Sequence, residues 1–211
     1  MAKKPYLVGI VGASASGKTS FLRDLVARLP TSSCSVVSLD NYYHPIERQQ
    51  RDANGWPNFD LPTALDRRRF HADLAILLRG ESIVHAEYTF NHRDKPGELI
   101  TIAPADVLIL EGLFLFHDDA IRAALDLRVF IDADEEICRQ RRLQRDQAER
   151  GYTLEHSAYC WEQHVLPAYR QYVLPYREEA HLVVANHTDY ADGLDALSRR
   201  LQAILALGAD V

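Results

Sequence analysis

The sequence is poor in cysteine and has no long run of apolar residues. Its three cysteines, Cys34, Cys138 and Cys160, are too widely separated to indicate a disulfide framework or a metal site. No segment approaches the roughly 20 apolar residues that cross a bilayer, and residues 1–5 lead directly into the first predicted strand, leaving no room for a signal peptide. We therefore expect a protein of the reducing cytoplasm.

A surplus of positive charge is also missing. The chain has 24 Lys and Arg against 30 Asp and Glu, a formal net charge of −6. Nucleic acids and membrane surfaces usually bind a basic field, so we expect neither partner and favour a small molecule. The 211 residues contain no linker or internal repeat and predict a single domain over residues 1–211. The sequence does not determine the oligomeric state, and a homo-oligomer is one alternative.

The chain contains the spacing G-x-x-x-x-G-K-T at residues 12–19, between an apolar segment (6–11) and an amphipathic one (21–29). This order predicts a strand, a phosphate-binding loop and a helix. In such a loop backbone N–H groups surround a polyphosphate, Lys18 reaches the β and γ phosphates, and Thr19 can hold Mg²⁺. We assign nucleotide binding to Gly12, Ala13, Ser14, Ala15, Ser16, Gly17, Lys18, Thr19 and Ser20.

Further apolar segments predict the other strands, at residues 34–39, 106–111, 127–132 and 181–186, with helical patterns between and after them. The predicted fold is α/β, a P-loop NTPase-type parallel sheet of about five strands with helices on both faces. Ligands of such sheets bind at the carboxyl ends of the strands.

Residues 41–105 interrupt this alternation. They contain a polar loop, a predicted helix near 64–79 and a small predicted β-hairpin formed by 82–88 and 99–102, with a turn around 96–97. We interpret the region as an insertion that covers the acceptor site.

Residues 134–160 predict a helical lid. Arg142 and Arg145 stand three apart, on one helical face, and Arg150 precedes a glycine that can end the helix. Arginines beside a phosphate loop can stabilise a transferring phosphoryl group. The alternative is a solvated helix decorated by ion pairs four residues apart, such as Arg142 with Asp146 and Arg145 with Glu149.

Two carboxylates are predicted at strand ends. Asp40 is placed to accept the proton of an attacking hydroxyl and to help bind a metal, although an acid after a strand can also be a turn cap. Glu111 is placed to hold Mg²⁺ through water, the alternative being a structural buried carboxylate. With Thr19 these residues form the predicted metal set.

A family resemblance rests on the phosphate loop and on five further motifs in a fixed order. These are S-L-D-N-Y-Y (38–43), N-F-D-L-P followed by A-L-D (58–66), Y-T-F (88–90), L-E-G (110–112) and R-R-L-Q-R-D through E-R-G (141–151). The chain resembles uridine kinases, in a group with phosphoribulokinase and bacterial pantothenate kinase. The resemblance implies an ATP- and Mg²⁺-dependent kinase that phosphorylates the 5′-hydroxyl of a nucleoside.

The resemblance also implies roles for individual residues. Asp40 would be the catalytic base with Tyr43 beside it, Asp60 would bind the ribose hydroxyls and Tyr88 would stack on the base. Arg142 and Arg145 would be lid arginines that contact phosphates and acceptor, and Lys18 would complete the catalytic set.

The chain departs from the family at the base end. Thr89 replaces an acid, Arg93 stands where an ungapped reading expects a histidine, and His92 lies one place earlier. Cys160 falls where the family has a glutamine that helps read the pyrimidine. Losing groups that read a specific edge changes substrate choice, so another nucleoside, a sugar phosphate or a pantothenate-like acceptor is the alternative.

Two other classes compete with the kinase. A regulatory GTPase would use N-K-x-D to read guanine; residues 186–189 read N-H-T-D, and no D-x-x-G follows the third predicted strand. The other alternative is a non-catalytic subunit that only binds nucleotide, which would release no ADP in response to substrate.

Overall fold

The computed structural model describes residues 4–89 and 97–209, with side chains to 207. A five-stranded parallel sheet in the order β2-β5-β1-β6-β7 forms its centre, and β3 and β4 pair as a separate antiparallel hairpin. The strands are β1 Tyr6–Gly12, β2 Cys34–Ser38, β3 Ile83–Ala86, β4 Leu99–Ile102, β5 Val107–Glu111, β6 Leu127–Asp132 and β7 Leu182–Ala185.

Helices cover both faces of the sheet. They are α1 Lys18–Val26, α2 Arg67–Leu78, α3 Asp119–Ala124, α4 Glu135–Arg150, α5 Leu154–Cys160, α6 Leu166–Tyr172 and α7 Ala191–Ala209. On one face, α1 and α7 bury Leu25 and Leu197 against the sheet. On the other, α2 and α6 contribute Phe70 and Tyr169 to a second apolar cluster. Strands buried on both faces explain the nearly continuous apolar runs in the sequence.

The predicted α/β fold with five parallel strands is confirmed, and so is the β3–β4 pairing. The hairpin turn predicted at 96–97 lies partly outside the described residues, which resume at Gly97. Across residues 4–89 and 97–209, no helix combines the length and apolarity required to cross a membrane.

Three predicted boundaries were inexact, each because a local cap overrides the apolar pattern. β2 stops at Ser38, whose hydroxyl accepts a hydrogen bond from the Asp40 N–H and begins a 3-10 helix, Leu39–Tyr42. The helix predicted near 64–79 begins only after Asp66, which caps it. The segment 134–160 is two helices, because Gly151 adopts a left-handed conformation (φ 67°) and ends α4.

Candidate functional site

The loop between β1 and α1 lies at the carboxyl end of the sheet. The Lys18 ammonium donates to the carbonyl oxygens of Gly12 (3.0 Å) and Ala13 (2.8 Å) and closes the loop on itself. Gly17 has φ 95°, and a Cβ there would collide with the side-chain amide of Asn186. That amide donates to the Ser16 carbonyl at 2.7 Å and is buried. The loop is therefore held from both sides in a shape that only glycine permits at position 17.

Asp40 and Glu111 meet beside this loop because β2 and β5 are paired in register, Ser38 opposite Glu111. The Ser38 hydroxyl donates to Glu111 and accepts the Asp40 N–H at 3.2 Å. Burial, reinforced by the charge of Asp40, raises the pKa of Glu111 to about 7, although Lys18 opposes this shift. Desolvation within the cleft also raises the pKa of Asp40, against the attraction of Lys18 and the lid arginines. Both carboxylates are therefore protonated more easily here than in water.

The guanidinium of Arg142 lies where the loop, the insertion and α4 meet. It donates to the Ser14 hydroxyl (2.8 Å), contacts both carboxylate oxygens of Asp60 (3.3 and 3.4 Å), and donates from Nε to Asp146 (3.2 Å). Its side chain is only 11% exposed and that of Asp60 is 8% exposed. A fixed guanidinium thus spans the phosphate loop and the carboxylate predicted to bind ribose.

Asp146 is a buried centre for three arginines. Its carboxylate, 3% exposed, lies 3.2 Å from Arg142, 3.2 Å from Arg145 and 3.4 Å from Arg150. Burial and repulsion from Arg145 lower the pKa of Arg150. The solvated-helix alternative was right about the Arg142–Asp146 pair but wrong about its setting: Arg145 pairs with Asp146, and the cluster faces the site.

Two cavities adjoin at this point. The nucleotide-side cavity, about 560 Å³, is lined by the phosphate loop, Asp40, Glu111 and Arg145. A larger cavity of about 890 Å³ extends over the insertion and α5. Four residues line both, namely Phe59, Asp60, Arg142 and Arg150. The fold therefore offers two connected compartments with a carboxylate–guanidinium pair at their junction.

The predicted acceptor residues line these compartments. Tyr88 lines the larger cavity, its N–H donates to the Asn41 side chain at 3.0 Å, and burial raises its pKa to about 12. Its ring centroid lies 5.5 Å from that of Tyr43, which lines the nucleotide-side cavity. Thr19 is exposed at the nucleotide-side cavity. His92 and Arg93 lie outside the described residues.

The larger cavity has an aromatic wall that the sequence does not predict. The rings of Trp56 and His156 have centroids 4.3 Å apart, and His156 lies 4.8 Å from the Tyr152 ring. All three line the cavity. Trp56 lies about 100 residues from its partners in sequence, so no spacing signal connects them.

A second missed cluster, the Asp52 clasp, holds the Trp56 loop in position. The Asp52 carboxylate accepts from Tyr159 (2.7 Å), from the Trp56 N–H (2.9 Å) and lies 2.7 Å from the His164 ring. Burial raises the pKa of Asp52, but these hydrogen bonds outweigh it and lower the pKa to about 2. The clasp ties the insertion to α5 and to the helical segment that follows it.

Comparisons with known proteins show which family shares this sequence. The model of the phosphoribulokinase/uridine kinase family matches residues 7–191. The chain belongs to this family. It is 34% identical over 207 residues to a uridine kinase of Leuconostoc citreum, covering 97% of this chain and 99% of that protein. It is 30% identical over 205 residues to uridine-cytidine kinase B of Dictyostelium discoideum, covering 97% and 84%.

A similar solved structure, assigned to a fructose transport system kinase from Silicibacter sp. TM1040, has a TM-score of 0.65 at 20% identity and covers 86% of this chain and 90% of that one. At this identity the likeness concerns the fold. Family membership confirms the predicted resemblance and the predicted class, a phosphotransferase with an alcohol acceptor, and disfavours the GTPase reading of residues 186–189. Such kinases use ATP, typically with Mg²⁺.

Proposed function

We propose that this chain transfers the γ-phosphate of ATP to the 5′-hydroxyl of a nucleoside. The observation that carries the proposal is the junction of the two cavities, where Asp60 and Arg142 line both compartments. A carboxylate accepts two hydrogen bonds at once, so Asp60 can hold the vicinal hydroxyls of a ribose at this junction, beside the nucleotide-side cavity. The named uridine and uridine-cytidine kinase relatives support the same substrate class.

The proposed donor end uses groups beside the phosphate loop. The residues at 12–20 bind the triphosphate, and Lys18 exchanges its contacts with loop carbonyls for phosphate oxygens. Thr19, Asp40 and Glu111 form a set of oxygen donors that suits Mg²⁺, an ion that normally retains several waters and substrate phosphate ligands. When bound, Mg²⁺ neutralises charge on the phosphates.

The proposed transfer requires a base and a cationic clamp. Asp40 accepts the proton of the acceptor hydroxyl, and its raised pKa brings this carboxylate closer to the operating pH of a general base. Arg142 and Arg145 stabilise the charge that develops on the transferring group. Tyr43 packs beside the acceptor, while Tyr88, and by the resemblance His92 and Arg93, contact the base.

The experiment measures ADP release in a coupled assay with MgATP and each candidate acceptor: uridine, cytidine, purine nucleosides, ribulose 5-phosphate and pantothenate. We expect turnover with a pyrimidine nucleoside and a fall of about 10²–10⁴ in kcat for Asp40→Asn, with ATP binding retained. Asp192→Asn, an exposed substitution on α7, is the matched control. Turnover of Asp40→Asn close to wild type would refute the assigned base.

A different hydroxyl acceptor is the second candidate. It is favoured by Thr89 and Cys160, which line the larger cavity at positions where the resemblance expects an acid and a glutamine. Turnover with ribulose 5-phosphate or pantothenate, and none with any nucleoside, would select it. Absence of acceptor-dependent ADP release with the whole panel would favour the non-catalytic subunit.

A further inference from the structure

One buried hydroxyl on the wall of the larger cavity lacks a hydrogen-bond partner. Ser157 is 1% exposed, lines the cavity, and its Oγ makes no hydrogen bond within the part of the chain that the structure describes. Its backbone N–H is satisfied by the Thr153 carbonyl at 3.0 Å. Leaving a buried hydroxyl unpaired costs about 1–3 kcal/mol, so such a group in a native protein needs an explanation.

The position of Ser157 on α5 suggests that explanation. Ser157 and Cys160 are three residues apart and both line the cavity, as do Asp60 and Arg142 at its inner end. The Cys160 thiol lies 3.5 Å from the His156 ring nitrogen, and burial raises its pKa to about 11. A neutral thiol that already contacts a ring nitrogen is a weak hydrogen-bonding group for a ligand. The hydroxyl one turn earlier is the stronger group on this face.

We propose that Ser157 is a specificity-determining residue that hydrogen-bonds the polar edge of the acceptor's base. This inference rests on the proposed nucleoside kinase activity. It assigns to Ser157 the contact with the edge of the base that, in the resembling enzymes, is made by a glutamine at the position of Cys160. A hydroxyl both donates and accepts, so it serves a ring carbonyl or an amino group equally. Ser157 therefore favours bases with a polar edge while discriminating little between uridine and cytidine.

This role has a signature opposite to that of a structural serine. In the unligated protein Ser157→Ala removes an unsatisfied hydroxyl, so the thermal midpoint stays constant or rises. In the complex the same substitution removes a hydrogen bond to the base. Ser198 is the matched control: it is also buried, but its hydroxyl donates to the Leu194 carbonyl at 2.6 Å, within α7 on the far face of the sheet. Ser198→Ala is expected to leave acceptor kinetics unchanged.

The experiment compares the full-length wild type, Ser157→Ala and Ser198→Ala by steady-state kinetics and thermal unfolding. For Ser157→Ala we expect kcat/KM for uridine and for cytidine to fall about 3- to 10-fold, mostly through KM, which is the effect of one neutral hydrogen bond. A phenyl riboside, which keeps the ribose and a flat ring but has no polar edge, serves as a competitive inhibitor. Its inhibition constant should be the same for wild type and Ser157→Ala.

Three results would overturn the inference. One is unchanged kcat/KM of Ser157→Ala on both pyrimidine nucleosides. Another is an equal loss of affinity for the phenyl riboside, which would indicate a general packing defect. The third is a lowered thermal midpoint with a proportionate loss of kcat. Failure of the proposed function is seen separately, because it would leave the wild type itself without activity on any nucleoside.

Discussion

The buried carboxylate of Glu111 should make the unligated protein less stable as the pH rises. Burial and the neighbouring Asp40 raise its pKa from 4.5 to about 7. In this interval the folded state binds a proton that the unfolded state has released, so the free energy of unfolding falls with increasing pH. A rise of about 2.5 in pKa corresponds to a loss of about 3 kcal/mol in the free energy of unfolding. This loss is complete above pH 7 and absent below about pH 4.5.

Glu111→Gln removes this cost and keeps an oxygen that can accept the Ser38 hydroxyl. The pKa of about 7 already includes the attraction between Glu111 and Lys18, so we expect the net gain at pH 8 to be about 3 kcal/mol. At pH 5, where wild-type Glu111 is protonated in the folded state, the two proteins should be nearly equally stable. For a chain of this size the gain at pH 8 raises the thermal midpoint by roughly 6–12 °C.

The assay is urea and thermal unfolding between pH 5 and pH 8 in the presence of EDTA and without nucleotide. Glu162→Gln, at an exposed position after α5, controls for the general loss of a negative charge. The decisive quantity is the difference in unfolding free energy between Glu111→Gln and wild type. If that difference is the same at pH 5 and pH 8, or if the variant is less stable at pH 8, the carboxylate is not held as described.

The remaining predictions concern the loops and helices around the cavities. Asp146→Asn leaves three arginines without their shared carboxylate, so kcat/KM for MgATP should fall at least 10-fold, and partial rescue by Asp146→Glu would distinguish positioning of charge from packing. Asp52→Ala should raise KM for the acceptor in initial-rate measurements while KM for ATP stays within twofold, and an equal change in both would contradict the role of the clasp. Gly17→Ala should abolish nucleotide binding in a fluorescence titration. Gly55→Ala should bind normally, because Gly55 also has a positive φ (81°) but a new Cβ there would meet no atom of the described residues within 4 Å beyond its chain neighbours.

The donor half of the site could be predicted because its determinants are local in sequence. The spacing of the phosphate loop brings Lys18 and Thr19 to one place, and parallel pairing of β2 with β5 brings Asp40 beside Glu111. Each step follows from a short motif or from a strand end. The strand β2 ends one residue earlier than predicted, and the only consequence is that Asp40 lies on a 3-10 turn. The Asp40 N–H helps to cap this turn by donating to the Ser38 hydroxyl.

The acceptor half depends on contacts between distant segments, which no local pattern encodes. Asp52 and His164 are 112 positions apart, and Arg142 and Asp60 are 82 apart. The sequence suggests that Asp146 forms an exposed ion pair with Arg142, because the i,i+4 spacing is the same on a solvated helix and in a buried cluster. Only the packing of α4 over the phosphate loop distinguishes the two, and there the buried carboxylate stabilises three nearby cations.

The base end of the cavity, where this chain departs from the enzymes it resembles, can change without affecting the donor end. Asp60 and Arg142, proposed to bind ribose and phosphate, line both compartments, so changing either is expected to disturb both substrates. The residues proposed to face the base lie on α5 and on the loop held by the Asp52 clasp, where a substitution alters only the larger cavity. Selection can therefore exchange a glutamine for Cys160 and place a hydroxyl at Ser157 without touching the transfer chemistry. Substrate range should vary through α5, while the phosphoryl-transfer groups stay constant.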